Sequence, residues 1–150
     1  MNLKQVIDRT CIKVVLLNND AQPPIRITKG SAGYDIQSTQ DLILGQAEQF
    51  LMPLNFSLEM PVGILGFIRP RSGWAVSKGL ITRSSDIIDS DFRHEVKISL
   101  YNQGKEAITI KKGDRIGQIV FLKYPECELE VVEKLSATER TGGFGSTGNN

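Results

Sequence analysis

Histidine is nearly absent from this chain: His94 is the only one among 150 residues. A multi-histidine metal site is therefore excluded, and any histidine-based triad would have to use that one side chain. Cysteine is almost as scarce. Cys11 and Cys127 make neither a disulfide framework nor a zinc cluster, and they read as thiols of a reducing compartment. No apolar run approaches the ~18–20 residues of a membrane span, and no signal-peptide pattern opens the chain. The expectation is a soluble intracellular protein of cytoplasm or nucleus, with no membrane partner. Charge of one sign is also missing. Eighteen Lys+Arg against seventeen Asp+Glu leave a net charge of +1, without the basic field that direct nucleic-acid binding needs.

Short apolar and β-branched runs, separated by turn residues, fill the chain instead. Cys11 to Leu17, Gln49 to Leu58, Gly63 to Arg69, Val96 to Tyr101, Ile116 to Leu122 and Leu129 to Val132 are predicted strands. In Glu95-Val-Lys-Ile-Ser-Leu100 the apolar Val96, Ile98 and Leu100 face one side, and Glu95, Lys97 and Ser99 the other. Asn102-Gln-Gly104 and Lys111-Lys-Gly113 are turn signals. Gly73 to Gly79 alone suggests a helix, and a short one. Many short strands with Gly/Pro turns predict an all-β antiparallel jelly roll, sandwich or barrel. At this length it forms one domain, over residues 1–136, followed by a mobile tail over 137–150.

That tail carries Arg140-Thr-Gly-Gly-Phe-Gly-Ser-Thr-Gly148. Four glycines and little apolar surface keep it from forming a packed element. Its chemistry is nonetheless selective: Arg140 can fork onto phosphate oxygens, Phe144 can stack on a base, and glycine lets backbone N–H groups approach an anion.

Four further segments carry chemistry: Ser31-Ala-Gly-Tyr-Asp-Ile36, Arg69-Pro-Arg-Ser-Gly73, Ile88-Asp-Ser-Asp-Phe92 and Gly113-Asp-Arg-Ile-Gly-Gln118. Singly each is weak. Together, in this order and at these separations, the five resemble the motifs of the trimeric dUTPase family, over about Ile12 to Gly148. The resemblance implies a β jelly roll assembled as a homotrimer with shared active sites. It also implies hydrolysis of dUTP to dUMP and pyrophosphate, assisted by Mg2+, which keeps uracil out of DNA and supplies dUMP for thymidylate synthesis.

The resemblance also implies residue roles. Asp89 is the water-activating carboxylate and contacts the sugar 3′-hydroxyl. Gln118 holds the α-phosphate and the attacking water. Arg71 and Ser72 contact phosphate, with Gly73 allowing close backbone approach. Asp35 matches the first motif's aspartate, which serves either as a water-mediated metal contact or as a structural hydrogen-bond partner. Phe92 packs under the deoxyribose, where a flat ring leaves no room for a 2′-hydroxyl. A β-hairpin over roughly Gly79 to Asp89, with Arg83, Ile87 and Ile88, selects uracil through main-chain groups. Arg140 and Ser146 grip the γ-phosphate, while Phe144 and Gly145 cap the uracil of a neighbouring subunit's site. Magnesium rides on the triphosphate with water ligands.

Three positions depart from the family pattern. Asp86 stands where glycine is usual, which raises the prospect of a crowded pocket or a strained backbone. His94 stands where glycine commonly follows the arginine, and the terminal motif is one residue short. The related dCTP deaminases place a catalytic glutamate three residues before the equivalent of Asn102, where this chain has Ser99. The remaining alternative is a nucleotide-binding or protein-interaction module that kept the fold and lost turnover.

Overall fold

The computed structural model describes residues 10–83 and 86–139. Eleven strands and one short helix follow one another as β1 (Lys13–Leu16), β2 (Tyr34–Gln37), β3 (Leu42–Leu44), β4 (Gln49–Pro53), β5 (Phe56–Glu59), β6 (Ile64–Pro70), α1 (Ser72–Lys78), β7 (Leu80–Thr82), β8 (Ile87–Ile88), β9 (Lys97–Asn102), β10 (Ile108–Ile110) and β11 (Arg115–Lys123). All pairings between them are antiparallel. A four-stranded sheet runs β2-β11-β6-β8 and a three-stranded one β4-β9-β7, with two further pairs, β1-β5 and β10-β3. This is the all-β architecture expected from the sequence.

Period-two patterning explains the core. Met52, Leu54, Phe56, Leu58 and Met60 are all buried, so alternation runs unbroken from Gln49 to Glu59. The backbone does break. Asn55 takes a left-handed φ of 58°, a conformation asparagine tolerates well, and the single predicted strand becomes β4, paired to β9, and β5, paired to β1. Val96, Ile98 and Leu100 point into the same core. Ser99 differs from expectation: it is buried rather than outward, with its hydroxyl accepting a bond of 2.9 Å from Gln49 Nε2.

The helix ends where its sequence says it must. Gly79 adopts φ 73° in the left-handed region, and its N–H donates back to Ala75 O, a standard glycine stop. The Lys111–Gly113 turn is braced by carboxylates: Asp41 accepts from Lys112 N at 2.9 Å, and Asp114 accepts from Lys111 N at 2.8 Å. That brace fixes the entry into β11.

The predicted strand over Leu129 to Val132 does not form. The segment has no regular structure, with Leu129 96 % and Val131 100 % exposed. Its alternation with Glu128 and Glu130 is that of a half-buried strand, and no partner strand covers it among the described residues.

Candidate active site

The four-stranded sheet gathers one group of polar side chains at the end where β6 leads into α1. Gln118 lies opposite Asp35 on β2 and opposite Arg69 on β6. The β2–β11 register slips between Arg115 and Gly117, a bulge of the kind that re-aims side chains. Arg115 thereby reaches Asp35: its Nη1 donates to Oδ2 at 3.2 Å. Arg71 Nε stands 3.5 Å from the same oxygen. Asp35 is mostly enclosed, its side chain 12 % exposed, so its charge holds two guanidiniums side by side with a net excess of positive charge. Gln118 completes the group. Its Nε2 donates to Pro70 O at 3.2 Å, and its amide lies over Gly33, where an added β-carbon would sit 2.1 Å from Oε1. Ser72 and Gly73 open α1 and are exposed; a β-carbon on Gly73 would meet nothing within 4 Å. Two cations, an amide and an open backbone suit a ligand rich in anionic oxygens.

A second group surrounds a pocket of about 420 Å³ whose walls include Leu51, Ile87, Asp89, Phe92 and His94. Ile88 is buried and anchors β8, while Ile87 is 59 % exposed and offers its side chain to the pocket. Asp89 ends β8 in a turn closed by Phe92 N donating to Asp89 O at 3.1 Å. Arg93 folds back on that turn, donating to Ser90 O at 2.6 Å. Phe92 is half-buried against the core. A cleft with apolar walls and the carboxylates of Asp89 and Glu95 at its edge suits a flat ring and a sugar better than a phosphate chain.

The two groups stand apart within one chain. Ile88 pairs with Gly66, so Asp89 falls at the level of Leu65, while Gln118 pairs with Arg69. That is four residues along the strands, roughly 13 Å, and two strands across, roughly 10 Å. A general base and the group orienting its water need hydrogen-bond reach, at most through that one water. Asp89 and Gln118 of a single copy cannot address the same water.

Other expected features fall differently. The hairpin over Gly79 to Asp89 is not a closed pair among the described residues: β7 joins β9 and β8 joins β6. Arg83 is exposed, its guanidinium 4.5 Å from the ring centroid of Tyr101. Asp86 opens the second described segment, directly after residues 84 and 85. Its carbonyl accepts from Ile68 N at 2.7 Å. However, Asp86 Oδ1 and Thr82 Oγ1 are buried without a hydrogen-bond partner among the described residues. Arg140, Phe144, Gly145 and Ser146 lie outside the described residues.

Sequence reasoning assigned no role to Arg115, Gly33, Leu51 or Lys97. Arg115 and Gly33 stood inside quoted motifs, so the signal was present. Leu51 and Lys97, on the pocket wall, sit in β4 and β9 and read only as strand residues.

Among the described residues no three His, Cys, Asp or Glu side chains converge on a common point. Among the described residues Asp35, held by two arginines, is the one carboxylate of the group beside Gln118. This donor set fits an ion carried on a ligand's phosphates with its own water, not one caged by protein.

Comparison with known proteins identifies the family. A dUTPase family model matches residues 10–148. The chain is 42% identical over 139 residues to the deoxyuridine 5′-triphosphate nucleotidohydrolase of Nautilia profundicola, covering 91% of this chain and 98% of that one. It is 40% identical over 144 residues to the enzyme of the same name from Rattus norvegicus, covering 95% and 70%. Among solved structures, the Staphylococcus bacteriophage 80alpha dUTPase with dUPNHPP superposes with a TM-score of 0.85 at 27% identity, covering 92% and 98%. A phage phi11 dUTPase of S. aureus, described with a structural Mg(II) ion, shares the fold at a TM-score of 0.78 and 23% identity, over 85% and 99%. With a family match over nearly all of its length, the chain belongs to the dUTPase family.

Proposed function

We propose that this protein hydrolyses dUTP to dUMP and pyrophosphate at a site shared between copies of the chain. The observation that carries the reading is the division of the required chemistry into two groups on one chain: cations and an amide beside Asp35, and a carboxylate beside an apolar cleft. Water attacks the α-phosphorus in line, the bond to the α–β bridging oxygen breaks, and pyrophosphate leaves. Asp89 takes the water's proton and Gln118 of another copy orients that water. Arg71, with Ser72 and Gly73 beside it, and Arg115 balance the charge on the phosphate oxygens. Phe92 carries the deoxyribose, and the Ile87–Ile88 segment reads the base. Arg140 and Ser146 hold the γ-phosphate, while Phe144 and Gly145 cover the base from a neighbour. Bound Mg2+ supplies charge compensation on the triphosphate.

Two observations support assembly, for which a homotrimer is the arrangement proposed. Asp89 and Gln118 of one copy lie too far apart, and the apolar alternation of residues 129–132 has no partner among the described residues. A neighbouring copy supplies both. No helix among the described residues is long and apolar enough to cross a membrane, and the charge balance gives no field for nucleic acid. The substrate is a small nucleotide.

Pyrophosphate release from dUTP, dTTP, dCTP and UTP, with and without Mg2+, tests the reading. Rapid release from dUTP alone is expected, abolished by Asp89→Asn at a cost of about 10² to 10⁴ in rate. Comparable rates on all four nucleotides would overturn the selectivity for dUTP, and no release from dUTP would leave only a binding module.

A further inference from the structure

His94 is the single histidine of the chain and lines the pocket that holds Asp89 and Phe92. Its ring meets Phe92 edge-on, with centroids 5.6 Å apart and planes at 67°. Aromatic pairs favour this T-shaped contact, and it fixes the tilt of both rings. Phe92 has no hydroxyl to tether it, so packing alone decides how its ring lies. On the inner side it rests on the core. Arg93, its immediate neighbour, is turned back onto Ser90 O and Phe92 O. On the pocket side the ring neighbour is His94.

We propose that His94 is a positioning residue for sugar discrimination: its imidazole holds the Phe92 ring at the angle that denies space to a 2′-hydroxyl. The inference rests on the reading that a deoxynucleotide occupies this pocket. Deoxyribose leaves a gap at C2′ only one oxygen wide, so a modest tilt of the ring is enough to admit a ribonucleotide. Losing the imidazole should therefore act mainly by improving UTP, not by impairing dUTP.

The test compares kcat and KM for dUTP and UTP in the full chain, His94→Gly and His94→Phe. His94 is exposed and its backbone is not left-handed, so both variants should fold. His94→Gly is expected to lower the dUTP-to-UTP ratio of kcat/KM about tenfold, the scale of discrimination set by small changes in pocket shape. His94→Phe, which keeps a ring, should hold the ratio within about threefold of the parent. General structural damage would depress both nucleotides together and leave the ratio alone. A ratio unmoved by glycine, or moved equally by glycine and phenylalanine, overturns the role of His94 while dUTP hydrolysis stands. A parent protein inactive on dUTP overturns the enzymatic reading and this inference with it.

Discussion

The side-chain amide of Gln118 occupies the space above Gly33 that a β-carbon would need, 2.1 Å from Oε1. Contacts that short do not exist, so any larger residue at 33 must push the amide aside. Gly33→Ala should therefore lower kcat on dUTP by roughly a hundredfold, the scale of a misplacement near 1 Å at a reacting centre. The site lies at a strand edge and the core stays filled, so thermal stability should fall by only a few degrees. Steady-state kinetics beside a melting curve separate the two; a variant with full kcat would remove Gln118 from the reaction.

Asp35 meets two guanidiniums through one oxygen, Arg115 at 3.2 Å and Arg71 at 3.5 Å. Asparagine in its place keeps the shape and loses the charge that anchors them. Asp35→Asn should reduce kcat about ten- to a hundredfold through loose phosphate placement, with the Mg2+ concentration for half-maximal rate unchanged. A rise in that Mg2+ requirement, with kcat preserved at saturation, would mean that Asp35 serves the metal's water and not the arginines.

Acid sensitivity has a local source at the turn entering β11. The N–H of Lys112, foremost, and the Lys111 ammonium bond the Asp41 carboxylate and hold its pKa below the ordinary value. A depressed folded value means that the contribution is present above the unfolded pKa of about 3.9 and is lost as pH falls through the folded value. Asp41→Asn should be slightly less stable than the parent near neutral pH, with the gap closing below about pH 4. Urea midpoints measured across that range check it. The carboxylate is exposed, so the gap should be small; a gap that widened in acid would contradict the sign.

Much of this molecule was legible in advance because alternation reports burial directly. Val96, Ile98 and Leu100 sit in the core as their spacing requires. Alternation does not report where the backbone turns, which is why Asn55 divided one predicted strand into two. Nor does it report who the partner is. Leu129 and Val131 carry a strand's pattern without a partner strand among the described residues. What Asp86 requires of the backbone depends on its φ, and residue type alone does not give that. Among the described residues β7 and β8 pair with β9 and β6, not with each other.

The motif residues themselves were readable; their relation was not. Arg115 stands inside a chemistry-bearing segment, but only the register shift after it and its bond to Asp35 show what it does. His94 looked like an intrusion until its ring lay edge-on to Phe92. Sequence order gives no distance between Asp89 and Gln118; only the shared pairing on β6 does.

That separation makes a subunit-mixing assay the most direct measurement of a shared site. Asp89→Asn and Gln118→Ala chains, each inactive alone, are unfolded together, refolded at equal amounts and assayed for pyrophosphate release from dUTP. If one copy contributes Asp89 and another Gln118, random assembly leaves about a quarter of the sites with both groups intact, and a corresponding fraction of the parental rate returns. No recovery, in mixtures shown by mass to contain both chains, would place the two residues in one copy's site and contradict the account.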